Sequence, residues 1–133
     1  MTAARRQTQT RPASAADARA YVDKAREFLR AAEGSLGLEN RVTAAGNAVH
    51  AGIGAADAIT AARAAVVWKG EHSQAPAHLE KVGGEEGRKA AAHLRRLLPL
   101  KNRAEYDPNR SLQRKRRRRS PPRYVWCESP SRQ

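Results

Sequence analysis

The 133-residue chain is poor in cysteine and in long apolar runs. Its single cysteine, Cys127, excludes an internal disulfide framework and a cysteine-based metal site, and this usage is typical of the reducing cytoplasm. No apolar run approaches the roughly 20 residues that cross a bilayer, and the polar first ten residues contain no apolar stretch of signal-peptide length. We therefore expect a soluble cytoplasmic protein that has no membrane partner.

Acidic residues are scarce at both ends of the chain, although the net charge is +13. Three of the 26 Lys and Arg precede residue 14 and nine follow residue 108, where Glu128 is the single acid. Residues 14–108 therefore hold 14 cations and 12 acids, a net charge of +2. The composition does not make the whole chain a basic nucleic-acid binder. It divides the chain into a disordered tail over 1–13, a nearly neutral domain over 14–108 and a disordered Arg-rich tail over 109–133.

Large apolar side chains are also few, since only 20 stand between residues 14 and 108. Such a domain has a thin core, and its abundant alanine favours closely packed helices over a sheet rich in β-branched residues. No segment has a convincing strand pattern. The sequence predicts an all-α fold, a small up-and-down bundle of four to five helices with disordered basic termini.

Capping residues and glycines mark the first two helices. Ser14 is a good N-cap, and apolar residues at helical spacing predict a first helix over 15–33. The longest helix follows over about 39–68. It contains Gly46, Gly52 and Gly54, each of which weakens an isolated helix by about 1 kcal/mol relative to alanine. These glycines predict a tight antiparallel helix pair in which backbones approach closely.

Proline and glycine punctuate the second half of the domain. Pro76 suits the first turn of a short helix that Gly83 and Gly84 end, and a further helix then opens with two glutamates. Pro99 is expected to break or kink this last helix, which continues to Asp107.

Patterns that carry conventional chemistry are mostly absent. The four histidines are separated by 22, 6 and 15 residues, and none of these spacings puts two metal ligands on one helix face. No metal or cofactor is predicted. His50 and Asp57 lie two turns apart on one face of the second helix, so they are candidates to share a polar groove, although a plain helix-surface pair is the more common reading.

Two segments carry a resemblance to a known family. The Ala/Gly-rich stretch VHAGIGAADAITAAR holds Asp57, and LLPLKNRAEYDP holds Lys101, Arg103 and Tyr106. In this combination, over about residues 15–108, the chain resembles the small bacterial single-domain forms of the HEPN family. The resemblance implies a dimeric helical bundle from a family with many metal-independent endoribonucleases in toxin–antitoxin and phage-defence systems, and hence RNA and a cognate antitoxin or other protein as partners.

The family's catalytic pattern, an Arg and a His with four to six residues between them, is met only in part. Arg103 is the candidate arginine, and a guanidinium holds a phosphate through two hydrogen bonds. The positions where His is expected hold Pro108, Asn109 and Arg110, and none of these moves a proton near neutral pH. Tyr106, with an ordinary pKa of about 10, is a poor substitute. Arg103 and Tyr106 are the catalytic candidates, and His50, Asp57 and Lys101 are substrate-binding candidates. A helix-end ion pair and a capping aromatic are the structural alternative.

The basic tail has two interpretations. Its unbroken cationic run suits a nucleic-acid-binding arm whose affinity falls with salt. The run consists of Arg114, Lys115, Arg116, Arg117, Arg118 and Arg119. The apolar periodicity stops abruptly near residue 109, however, and arginine codons of a high-GC bacterial gene give alanine-rich protein in another frame. A frameshift that replaced a closing helix is therefore the second hypothesis, and translation of the gene in its other frames tests it.

Two functions remain open at this point. The first is a HEPN-like bacterial protein linked to RNA cleavage or binding, in which the catalytic His is missing. The alternative is a non-enzymatic protein-interaction module whose Ala/Gly-rich face docks a partner helix, with a basic tail that binds nucleic acid non-specifically.

Overall fold

The computed structural model describes residues 9–106, with side chains through residue 103. Four α-helices account for most of this range, which confirms the all-α prediction. They are α1 (Ala15–Gly37), α2 (Arg41–Ala64), α3 (Ala75–Val82) and α4 (Gly84–Tyr106). Two short strands and one 3₁₀ turn complete it: β1 (Thr10–Pro12), β2 (Val66–Trp68) and the turn His72–Gln74. The predicted Arg-rich tail over 109–133 lies outside the described residues.

Helix α1 begins where the sequence predicts and ends later. Asp17 donates its backbone N–H to Ser14 Oγ at 3.1 Å, and Ser14 N–H donates to Asp17 Oδ2 at 2.8 Å. These two bonds satisfy backbone donors that every helix start leaves open. The helix passes through Gly34 and ends at Gly37, so the predicted end at residue 33 is a turn too early.

The predicted continuation of α2 to residue 68 is wrong. Ala65 adopts a left-handed conformation, with φ 56° and ψ 31°, and its N–H closes the helix on Ala61 O. The next residues are β-branched or aromatic, and Val66, Val67 and Trp68 form β2. Helical periodicity does not predict this end, because Val66 and Val67 fall at positions that also suit the apolar stripe of a helix.

Two predictions are corrected by an antiparallel ribbon of β1 and β2: that the chain has no strands, and that residues 9–13 belong to a disordered tail. The rest of that predicted tail, residues 1–8, lies outside the described residues. Thr10 pairs with Trp68 and Pro12 with Val66. Ala13 is buried and donates its backbone N–H to Ala65 O at 2.9 Å, so the ordered domain starts earlier than residue 14. The paired residues stand 54 to 58 residues apart in sequence. Local patterning cannot reveal such a pairing, and β1 has no apolar alternation of its own.

Helix α2 packs against both long neighbours, and glycines permit the close approach. A Cβ at Gly54 would lie 3.3 Å from Ala25 Cβ and 3.4 Å from the Ala25 backbone in α1. A Cβ at Gly52 would lie 2.8 Å from Leu97 Cδ1 in α4. The predicted close approach of backbones is confirmed at Gly54, whereas Gly52 meets only the ends of leucine side chains. The prediction is wrong at Gly46, where a Cβ would meet nothing within 4 Å. The Ala/Gly-rich surface of α2 is thus covered by the protein's own helices.

The core is as thin as the composition indicates. The largest side chains that are fully buried are Leu79, Val49 and Val67, and alanines fill most of the remaining buried positions. Helix α4 continues through Pro99 to Tyr106, contrary to the predicted break. Pro99 has no N–H to donate, so the carbonyl of Arg95 lacks its helical hydrogen-bond partner. Both residues lie on the exposed side of α4, where water can reach this carbonyl.

Six large apolar side chains remain exposed on the described surface. They are Val22, Leu29, Leu36, Leu38, Val42 and Leu100. Leu36, Leu38 and Val42 cluster at the α1–α2 connection, where no other element of residues 9–106 covers them. No helix in this range is both long and apolar enough to cross a membrane.

Candidate functional site

Arg103 and Lys101 lie in the last turns of α4. Arg103 is exposed and Lys101 is half-buried. Tyr106 is the last helical residue, and its side chain lies outside the described residues.

The solvent side of α4 forms a basic face, which we define by Arg88, Arg96 and Arg103. Steps of eight and seven residues return to the same side of a helix after about two turns, and the three span about 22 Å at 1.5 Å per residue. All three are exposed, and none makes an ion pair with another described residue. The sequence from residue 88 to residue 103 holds six Lys and Arg and no acid.

Two other cations of α4 are paired. Arg95 donates to Glu80 of α3, and Lys89 Nζ lies 3.7 Å from Glu85 Oε1 within α4. The hydrogen bond from Arg95 lowers the pKa of Glu80, and this bond fixes α3 against α4. The arginines of the basic face therefore stay available to an external anion, whereas Arg95 has a structural partner.

A second cluster of functional groups surrounds Asp57, in the C-terminal half of α2. Ile53, Ala56, Asp57 and Thr60 recur at three- and four-residue steps, so they share one side of the helix. The Asp57 pocket is formed by this side of α2 together with β2, the 3₁₀ turn and α3. Its lining residues are Ile53, Ala56, Asp57, Thr60, Trp68, His72, Ala75, His78 and Leu79. The pocket is partly open, and its space of about 10 Å³ admits roughly one water molecule.

Aromatic rings form one wall of the Asp57 pocket. The ring centroids of Trp68 and His78 lie 5.0 Å apart with an interplanar angle of 31°. Trp68 Nε1 donates to Glu71 O at 2.8 Å, which fixes the indole beside the imidazole. Across the pocket, Thr60 Oγ1 donates to the Asp57 backbone O at 3.3 Å. These contacts hold the wall in place and leave the carboxylate of Asp57 unengaged.

Two half-buried titratable groups of the pocket have pKa values that are shifted in opposite directions. Burial raises the pKa of Asp57 from 3.8 to about 6, although Lys24 and Arg11 act to lower it. Burial, and then Lys81, lower the pKa of His78, whose Nε2 is buried without a hydrogen-bond partner among the described residues. Near pH 7 the pocket thus holds a mostly ionised carboxylate beside a neutral imidazole.

Asp57 lies with His72 and His78, whereas His50 lies elsewhere. His50 stacks on Phe28 of α1, with ring centroids 5.0 Å apart and an interplanar angle of 29°. Seven helical residues separate it from Asp57, about 10 Å along α2. Sequence spacing favours a partner on the same helix. The actual neighbours come from the 3₁₀ turn and α3, and the composition of these segments carries no sign that they face Asp57.

The basic face and the Asp57 pocket are separate sites. Gly52 of α2 meets Leu97 of α4, and the two helices run antiparallel. None of the three arginines of the basic face lines the pocket. Arg103 stands six residues beyond that contact in one direction and Asp57 five residues in the other, which places these two about 16 Å apart along the helices. Within residues 9–106, no three His, Cys, Asp or Glu side chains are grouped so as to hold a metal ion.

The fold and its surface define a small all-α helical-bundle protein with a basic helix face and a separate carboxylate–imidazole pocket. No protein-family model matches the chain, and neither a curated protein nor a solved structure is significantly similar to it. Membership of the HEPN family therefore stays a prediction from the sequence.

Proposed function

We propose that the protein is a HEPN-like bacterial cytoplasmic protein that binds RNA through the basic face of α4. The observation that carries the proposal is the row of exposed arginines, Arg88, Arg96 and Arg103, without ion-pair partners in the described residues. Guanidinium groups bind phosphate in two hydrogen bonds, and a row of them follows a phosphate backbone without reading its sequence. Dimerisation and a cognate antitoxin remain part of the proposal on the family resemblance alone.

Binding, rather than cleavage, is the activity that the residues favour. Arg103 stabilises charge on a phosphate, but proton transfer to and from the ribose needs a second group near neutral pKa. His93 is the one histidine of α4, and it stands ten residues before Arg103, about 15 Å along the helix. Pro108 to Arg110 offer no titratable base. Arg103 and Lys101 are therefore assigned to phosphate contact, and metal-independent cleavage is the activity to be tested against it.

The test is a titration of labelled single-stranded RNA over a salt series. Replacing Arg88, Arg96 and Arg103 together by Gln should weaken binding and reduce the salt slope by about two, since each phosphate contact on a single strand contributes about 0.7. The matched control replaces three exposed α1 arginines by Gln, with the same loss of charge. They are Arg19, Arg26 and Arg30. Equal slopes for both triple variants would refute a dedicated α4 surface.

The Arg-rich tail must be separated from the basic face in this measurement. Both triple variants are therefore also made in a full-length chain in which Arg114 to Arg119, including Lys115, are Gln. A remaining difference between the two variants then belongs to α4. If the chain with the neutral tail no longer binds RNA, and the three α4 substitutions then have no further effect, RNA binding is assigned to the tail instead.

Cleavage is followed in the same samples with a chelator present. Intact RNA with both the parent and Arg103→Ala agrees with a binding function. Cleavage by the parent that Arg103→Ala abolishes would instead make the protein a metal-independent endoribonuclease, and Tyr106→Phe would then test the second catalytic candidate.

The alternative function, a protein-interaction module, is favoured by a different surface from the one first expected. The Ala/Gly-rich side of α2 is occupied by α1 and α4. The exposed apolar residues Leu36, Leu38 and Val42 at the α1–α2 connection are instead the surface open to a partner. RNA binding that is unaffected by every arginine variant would favour this module.

A further inference from the structure

We propose that the Asp57 pocket is a binding site for the primary ammonium group of a small amine, a site independent of the RNA-binding face. Asp57 supplies the counter-charge, His78 and Thr60 complete the hydrogen bonds, and Trp68 lies beside the bound group. The proposal uses none of the α4 arginines and would stand if the RNA-binding proposal failed.

The carboxylate of Asp57 is the first reason. It is half-buried and makes neither a hydrogen bond nor an ion pair through its side chain with another described residue. The cations that act on it, Lys24 and Arg11, do so at a distance and do not line the pocket. A carboxylate withdrawn from water without a partner is unfavourable, and a cation of matching size removes that cost.

The number and type of hydrogen-bonding groups is the second reason. A primary ammonium group has three donors and no acceptor. Three lining residues carry acceptor atoms: Asp57 in its carboxylate, Thr60 in its hydroxyl and His78 in its imidazole. The Thr60 hydroxyl already donates to Asp57 O, so its lone pairs are free to accept. With the proton of neutral His78 on Nδ1, the buried Nε2 accepts a bond that no described residue provides.

Size and lining are the third reason. A partly open space of about 10 Å³ admits a group as small as water, and –NH₃⁺ is of that size, whereas a quaternary ammonium is far larger. The indole of Trp68 contributes a face that attracts cations, and the apolar side chains of Ile53 and Leu79 suit the carbon chain attached to the ammonium. A water molecule is the competing occupant, and the neutral probe below separates the two.

The probe is propylammonium chloride, titrated at constant ionic strength into the full-length protein. The reporter is the indole N–H of Trp68 in a ¹H–¹⁵N spectrum, assigned with Trp126→Phe, since the chain has two tryptophans. We expect a saturable shift with propylammonium and none with 1-propanol or tetramethylammonium chloride. Saturation by 1-propanol at the same concentrations, or the absence of saturation by propylammonium, would overturn the proposal.

Two variants separate this site from general electrostatics. Asp57→Asn keeps the shape of the side chain and should weaken propylammonium binding by about tenfold or more, because it removes a charge-assisted hydrogen bond. Asp23→Asn removes the same charge from an exposed position on α1 and should leave the affinity unchanged. Thr60→Val and His78→Phe should each weaken binding while the folded spectrum persists. Equal affinities for the Asp57 and Asp23 variants would refute the assignment.

Discussion

Replacing Asp57 by Asn should stabilise the protein at neutral pH and leave its stability almost unchanged in acid. The raised pKa means that the folded protein holds a proton on Asp57 over a range in which the unfolded chain has lost it. The free energy of unfolding of the wild type therefore falls as the pH rises from about 3.8 to about 6. Asparagine does not titrate, so the free energy of unfolding of the variant does not fall in this way as the pH rises.

The magnitude follows from the shift. A change from 3.8 to about 6 corresponds to about 3 kcal/mol at 1.36 kcal/mol per pKa unit. The side chain is only partly withdrawn from water, and solvent screening reduces the expected effect to about 1–2 kcal/mol. Asp17 and Glu80, whose pKa values are lowered, lose stability as the pH falls, but they are present in both proteins and cancel in the difference.

The assay is urea denaturation of both proteins near pH 3.5 and at pH 7.5, followed by circular dichroism. We expect the variant to gain about 1–2 kcal/mol over the wild type at the higher pH and close to zero at the lower. Asp23→Asn controls for the change in net charge and should show no such pH dependence. A difference that is equal at the two pH values, or a variant that is less stable at pH 7.5, would refute the reasoning about burial.

Four further predictions concern the helices, each measured as the free energy of unfolding in urea. Gly46→Ala should stabilise the protein by about 0.5–1 kcal/mol, because a Cβ there meets nothing within 4 Å and alanine favours a helix. Gly54→Ala should instead destabilise by about 1–2 kcal/mol, since its Cβ would press on the α1 backbone; stabilisation by both variants would contradict the close approach. Ser14→Ala should cost about 1 kcal/mol through the lost N-cap, whereas Ser14→Asp should restore most of it, and failure of Asp to do so would argue against capping. Pro99→Ala should stabilise by about 1–3 kcal/mol by restoring a hydrogen bond to Arg95 O, and an unchanged midpoint would show that this turn adds nothing to the cooperative fold.

The sequence predicts elements that local signals define. The start of α1 follows from Ser14 and Asp17, and the start of α3 follows from Pro76, because caps and first-turn prolines act on their immediate neighbours. The all-α class follows from alanine and the apolar period. The end of α2 does not, since Val66 to Trp68 suit a helix until a distant strand offers backbone hydrogen bonds.

The candidate site is visible in sequence only in part. Asp57 stands out as an acid in an Ala/Gly-rich helix, and its position there predicts a neighbour on the same helix. The structure supplies His72 and His78 from segments that read as a turn and a short amphipathic helix. Their convergence depends on how α3 packs against α2, which tertiary contacts determine and local sequence does not. For Arg103 the reverse holds, since the run of cations on α4 and their common face follow from helical spacing alone.

The pairing of β1 with β2 has a consequence for the order in which the molecule assembles. Helices α1 and α2 are joined by a short connection and can meet as soon as both exist. Trp68, a wall of the Asp57 pocket, is held in a strand whose partner lies 58 residues earlier in the chain. The α1–α2 hairpin brings Ala13 and Ala65 together and so meets most of the entropic cost of closing this long loop. We therefore expect β1 and β2 to pair, and the pocket to be completed, only after this first helical hairpin has formed. A probe on Trp68 would report this last closure, separately from the helical signal that precedes it.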